Sequence, residues 1–331
     1  MTTANGKSTH LKALSNSEGV IAALAMDQRG SLRNTIAAAR GAGPETVGPE
    51  QIAEFKTAVS RVLTPYASAI LLDVEFGLPA ARARHEETGL LLAYEKTGYD
   101  NARPGRLPEL LDGVSGTRII AHGADAVKIL LYYNPFEAPE INDVKHAFVE
   151  RVGAECDGLD IPFFLELVNY DPAGGDVKSF EYAPKKPAAI RGGVEEFSKP
   201  EYRADVLKVE VPVNLRYVPG NPAYLGQKAY SREQALAEFR AAGEAAGKPF
   251  IYLSAGVGNE EFVAALHLAT EARSGFSGVL CGRATWKGGI AVYATQGRAA
   301  LEDWLGTQGV KNITAVNDAL AGATPWSAAR S

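Results

Sequence analysis

Eight short apolar runs recur along the chain, each separated from the next by a stretch of helical character. No other feature of the sequence constrains the fold as tightly. The runs are residues 20–26, 69–72, 89–94, 126–132, 161–168, 206–213, 250–255 and 276–281. Each is rich in Ile, Val, Leu and aromatic residues and is close to continuously apolar. Strands buried on both faces read this way, whereas half-exposed strands alternate. Between them, residues 51–63 place Ile52, Phe55, Val59 and Val62 on one helical face. Residues 231–245 open with Ser231-Arg232-Glu233-Gln234, the pattern of a reciprocal N-terminal cap, and residues 259–272 carry Phe262, Ala265, Leu266 and Ala269.

Strand and helix alternating in eight cycles predict a parallel sheet covered by helices, closed into an α/β (β/α)8 TIM barrel. An open dinucleotide-binding sheet should show a Gly-x-Gly-x-x-Gly turn after its first strand. Here that turn reads Asp27-Gln28-Arg29-Gly30-Ser31. Residues 169–199 and 214–230 read as long irregular loops, which in a barrel shape the mouth of the site. Without a linker or low-complexity tract, residues 1–331 are expected to form a single barrel domain. It would carry an N-terminal extension and a C-terminal helical tail over residues 308–331.

The formal net charge of −5 excludes a broadly basic nucleic-acid binder, though a local basic pocket for a phosphorylated ligand fits within it. Two cysteines, Cys156 and Cys281, form no disulfide framework and suit a reducing compartment. Residues 1–18 are polar, and no apolar run reaches the roughly 20 residues that span a bilayer. A soluble cytoplasmic protein with neither nucleic-acid nor membrane partners is the expectation.

Charges inside the strands carry the chemistry. Lys128 lies within Ala-Val-Lys-Ile-Leu-Leu, Glu166 within Phe-Phe-Leu-Glu-Leu-Val and Lys208 within Val-Leu-Lys-Val-Glu-Val, while Asp27 follows Ala-Leu-Ala-Met. Burying any one of these is costly unless it is paired. In a barrel the C-terminal strand ends surround one pocket, so two amines and two carboxylates from four strands can meet there. A lysine beside a second cation in an apolar pocket has a lowered pKa, and its neutral amine can condense with a ketone. The protonated imine then accepts electrons from a breaking C–C bond while a carboxylate moves protons. Spacing leaves open which lysine is covalent. Strand parity also turns Glu210 inward with Lys208.

After the seventh run comes Leu253-Ser254-Ala255-Gly256-Val257-Gly258, and after the eighth Cys281-Gly282-Arg283-Ala284-Thr285. Barrels often bind phosphate between these two loops, where glycines admit close backbone approach and an arginine adds a bidentate contact. The five histidines, His10, His85, His122, His146 and His267, form no metal-ligand pattern. No metal or cofactor is expected.

These motifs resemble the class I tagatose-1,6-bisphosphate aldolase family of bacteria. The matching blocks are residues 25–30, 64–68, 89–100, 123–133, 161–166, 205–214, 252–257 and 278–286, and the resemblance they carry extends along nearly the whole chain. The resemblance implies that Lys208 forms the Schiff base, that Glu166 is the main acid/base and that Lys128 is the second cation beside the imine. It places Asp27 at the substrate hydroxyls and Ser254, Gly256, Gly282 and Arg283 on the phosphate of the dihydroxyacetone phosphate half. Gln28 and Arg29 would reach toward the far end of the sugar. The implied reaction cleaves D-tagatose 1,6-bisphosphate to dihydroxyacetone phosphate and glyceraldehyde 3-phosphate, with fructose 1,6-bisphosphate as a second substrate. The family also suggests a homodimer. Two alternatives are a related aldolase for another ketose phosphate, such as a sulfonated sugar phosphate, and a sugar-phosphate-sensing regulator on the same barrel. Departures concentrate in residues 171–199 and at the tail, so the contacts to the far phosphate are the part least defined by the resemblance.

Overall fold

The computed structural model describes residues 6–96, 99 and 103–329. Residues 97, 98 and 100 of the block 89–100 therefore lie outside the described residues, as do the ends of the N-terminal extension and of the tail. Eight strands follow the eight apolar runs: β1 (Ile21–Ala25), β2 (Ala69–Asp73), β3 (Gly89–Ala93), β4 (Ala126–Tyr132), β5 (Phe163–Val168), β6 (Val206–Glu210), β7 (Phe250–Leu253) and β8 (Gly278–Cys281). All pair in parallel, and β8 returns to β1 to close the barrel in sequential order. The protein is thus a (β/α)8 barrel.

Alternation along each strand sorts side chains into two cores. One set faces the enclosing helices and forms the large outer core, which includes Phe55, Ile129, Leu207, Phe239 and Tyr252. The other set fills the barrel itself: Ile21, Ala23, Leu91, Ala126, Phe164, Val206, Ile251 and Leu280. Helix Gly6–Ala13 closes the lower end, bringing Leu11 and Leu14 against this inner set. The helix is tied down by the Lys7 ammonium on Asp205 (3.1 Å) and by His10 Nδ1 at 3.0 Å from Asp125.

Local chemistry accounts for the helix boundaries. Helix Arg232–Glu244 starts with Ser231 Oγ accepting from the Gln234 N–H while Gln234 Oε1 accepts from the Ser231 N–H, so two otherwise orphaned donors are satisfied. Helix Pro49–Leu63 begins at a proline, whose missing N–H has no intrahelical partner to lose, and buries Ile52, Phe55 and Val59. One segment differs from the sequence expectation. Residues 169–199, read as an irregular loop, contain a helix at Lys186–Phe197. The Gly192-Gly193 pair that disguised it is a packing device. A Cβ on Gly192 would come within 2.9 Å of Pro135, and one on Gly193 would press on the Tyr133 ring.

Candidate active site

The upper ends of the strands surround a cavity of about 660 Å³, within the range typical of small-molecule sites. Strand parity turns charged residues into it, and strand register brings them together. Lys208 pairs laterally with Glu166 in the register of β5 and β6, and the Glu166 side chain reaches Lys128 of β4 at 2.8 Å.

Lys128 is fully buried, and its Nζ lies 2.8 Å from each of three carboxylates: Asp27 Oδ2, Glu95 Oε1 and Glu166 Oε2. Among the described residues Lys208 Nζ has a single carboxylate partner, the same Glu166 Oε2, also at 2.8 Å. One carboxylate oxygen therefore bridges both amines. This separates two lysines that spacing left equivalent. Burial opposes the charge on Lys128, but Asp27, Glu166 and Glu95 outweigh it and raise its pKa well above the ordinary value. A lysine beside a second cation was expected to be lowered; for Lys128 the three carboxylates reverse the sign. It is a fixed cation, unsuited to nucleophilic attack. Asp27 is the complement: burial would raise its pKa, yet Lys128 and Lys208 hold it well below the usual carboxylate range.

The phosphate-type loops also converge. Ala255 and Gly256 both adopt positive φ, 46° and 78°, which turns the backbone sharply after β7. The φ of Gly256 disfavours any other residue, and its bare Cα leaves room for the Arg283 guanidinium, whose carbon would lie 2.8 Å from a Cβ there. A Cβ on Gly282 would sit 2.8 Å from the Ala25 carbonyl oxygen. Ser254, Gly256, Gly282 and Arg283 all line the cavity, as does Gln28. Arg29 lines the cavity as well. Its side chain is almost wholly buried, with Nη1 2.5 Å from Glu75 and Nη2 donating to the Glu95 carbonyl oxygen at 2.8 Å. It braces the ends of β2 and β3.

The structure adds residues that sequence reasoning missed. Glu95 completes the cage around Lys128. Its signal was present, since it follows the third apolar run as Asp27 follows the first. Lys178 and Arg216 come from the irregular loops and line the same cavity. The loop carrying Lys178 is pinned where Asn214 Nδ2 and the Tyr217 hydroxyl both donate to the Lys178 carbonyl oxygen, at 3.1 and 3.0 Å. Lys287 donates to the Gly256 carbonyl oxygen at 3.1 Å. Its pKa is lowered by burial and then by Arg283, with Arg216 and Lys178 adding to the effect against Glu261. Four cations thus gather at one end of the cavity around one carboxylate, Glu261, which lies 3.5 Å from Arg216. Glu210 faces inward as parity required and is held by Lys186 (3.0 Å) and by the Asn169 N–H (2.9 Å). Among the described residues no group of three His, Cys, Asp or Glu side chains is placed to hold a metal ion, and no helix is long and apolar enough to cross a membrane.

A family model described as DeoC/LacD family aldolase matches residues 21–288, from the first residue of β1 to just beyond Arg283. The chain belongs to the DeoC/LacD aldolase family. It is 53% identical over 322 residues to the tagatose 1,6-diphosphate aldolase of Listeria monocytogenes serotype 4b, covering 97% of this chain and 94% of that one. It is 52% identical over 330 residues to tagatose 1,6-diphosphate aldolase 2 of Enterococcus faecalis, covering 99% and 98%. Among solved structures, fructose-bisphosphate aldolase from Plasmodium falciparum aligns with a TM-score of 0.67 at 14% identity, covering 96% of this chain and 94% of that one. At that identity the likeness concerns the fold alone.

Proposed function

We propose that this aldolase-family chain is a class I, metal-independent enzyme that cleaves D-tagatose 1,6-bisphosphate to dihydroxyacetone phosphate and D-glyceraldehyde 3-phosphate. Fructose 1,6-bisphosphate would serve as a second substrate. The observation that carries the reading is the single Glu166 oxygen held between two amines of unequal surroundings. The printed names of the relatives at 53% and 52% identity support the substrate.

In this reading the Lys208 amine adds to the C2 ketone, and Glu166 passes a proton to the resulting oxygen so that water leaves and an iminium remains. Lys128, held charged by its three carboxylates, stays a cation beside the reacting carbon. The C4 hydroxyl loses its proton to a carboxylate, and the C3–C4 bond breaks. The electron pair flows into the iminium to give an enamine, and glyceraldehyde 3-phosphate departs. Protonation of the enamine at C3 and hydrolysis of the imine then release dihydroxyacetone phosphate and restore Lys208. Asp27, kept ionised, would accept hydrogen bonds from substrate hydroxyls. Ser254, Gly256, Gly282 and Arg283 would hold the phosphate of the dihydroxyacetone phosphate half, and Gln28 would reach toward the rest of the sugar. Preorganised charges in a closed cavity are worth most where charge develops during reaction.

The same proposal includes one barrel domain across the chain with flanking helices at both ends, a cytoplasmic location and a homodimer. The test is triose phosphate release from tagatose 1,6-bisphosphate, with and without EDTA. Release unaffected by the chelator is expected. Absence of release would contradict the substrate assignment, and full loss under EDTA would point to a metal enzyme on the same barrel.

A further inference from the structure

The caged amine has one carboxylate too many. At the heart of the cavity stand two amines, Lys128 and Lys208, against three carboxyl groups, Asp27, Glu95 and Glu166, joined through 2.8 Å contacts. The cations next to this cluster do not restore balance. Arg29 is taken by Glu75 and reaches Glu95 Oε1 only at 3.9 Å, and the buried Lys56 is matched by Asp73. Burying an unmatched negative charge is costly, and a carboxyl group relieves that cost by taking a proton.

Geometry selects which group takes it. Asp27 faces both amines and stays ionised. Glu166 Oε2 lies 2.8 Å from both amines, though without hydrogen-bond geometry to either. Glu95 has one close amine, Lys128 on Oε1, with Arg29 at 3.9 Å from the same oxygen, and its Oε2 is buried with no hydrogen-bond partner. The charged and titratable groups around it are Lys128 from β4, Asp27 and Arg29 from beyond β1, and Tyr99 from its own loop. Glu166 lies across the shared ammonium and Glu75 behind Arg29. Tyr99 is committed to the Leu130 carbonyl oxygen. Burial pushes the Glu95 carboxyl up, Lys128 and Arg29 offset this only in part, and Asp27 adds to it. We propose that Glu95 is a further acid of this site: it rests as the neutral carboxylic acid and keeps its Oε2–H for a hydroxyl oxygen of the bound ketose. The proton is the inference from charge and geometry; the ketose rests on the function proposed above.

Infrared difference spectroscopy reads this proton without any turnover. The full-length enzyme at neutral pH is expected to show a protonated-carboxyl C=O band that Glu95→Gln removes. Because a raised pKa keeps the acid neutral until pH rises through it, the band should vanish on alkalinisation rather than on acidification. Adding non-cleavable hexitol 1,6-bisphosphate should shift the band as Oε2–H finds its acceptor. Glu95→Gln preserves a neutral donor, so kcat should stay within about tenfold of the parent; Glu95→Ala should raise KM by about tenfold or more. No such band, or one that survives in Glu95→Gln, overturns the proposal, as does a band the hexitol leaves unmoved. A loss of kcat beyond about a thousandfold in a folded Glu95→Gln also overturns it, because an ionised carboxylate would then be required. An absent band with intact triose release defeats this inference alone; a present band without triose release defeats the substrate assignment alone.

Discussion

The lower and upper halves of the barrel interior differ by one step along the same strands. Ala126, Phe164 and Val206 fill the lower layer; two residues further on, facing the same way, stand Lys128, Glu166 and Lys208. The step is roughly 7 Å along a strand. Below it the interior is apolar, closely packed and closed by Leu11 and Leu14. Above it the interior is ionic and opens to the cavity. The lower layer holds the strands in register, and register places one Glu166 oxygen between two amines. Packing in one layer is therefore the source of precision in the other.

Substitutions in each layer should separate these roles. Lys208→Met is expected to reduce turnover by about five orders of magnitude or more and to lower the urea midpoint, since Glu166 loses one of its two buried amines. A variant that retains turnover would remove Lys208 from the chemistry. Glu166→Gln should lower kcat by about 10² to 10⁴, with hexitol bisphosphate affinity kept, as measured by steady-state kinetics and calorimetry. An unchanged kcat would leave the bridging oxygen without a catalytic role. In the lower layer the balance shifts from turnover to stability. Phe164→Ala should cost about 3–5 kcal/mol of stability in urea unfolding, while the folded fraction keeps kcat within a few-fold. A large loss of kcat at full folding would show that the two layers are not separable. The smallest effect is expected at the cationic rim. Lys178→Ala should raise KM several-fold at low salt and less at high salt, with kcat unaltered, because exposed charges are screened. A salt-independent change would argue for a structural role instead.

The sequence made the barrel legible for a specific reason. Strands buried on both faces must be apolar throughout, so β1 to β8 stand out as runs, and a charge such as Lys128 or Lys208 inside a run stands out in turn. What depended on tertiary neighbours was not legible. The helix Lys186–Phe197 was hidden by two glycines whose purpose is contact with Pro135 and Tyr133. The partners of Arg29, Glu75 and the Glu95 carbonyl oxygen, follow other strands and are distant in sequence. Lys178 is brought in by the Asn214 amide and the Tyr217 hydroxyl, which donate to its carbonyl oxygen from the neighbouring loop and leave no periodicity to read. Glu95 was visible as the residue ending a run, but its importance lies in being the third carboxylate on one amine, and that is a count made in space.

The central claim concerns the different surroundings of two lysines. Reduction with borohydride in the presence of dihydroxyacetone phosphate, followed by peptide mass mapping, addresses it directly. The account requires a covalent adduct on Lys208, with Lys128 unmodified inside its three carboxylates. An adduct on Lys128, or none on either lysine, would contradict it.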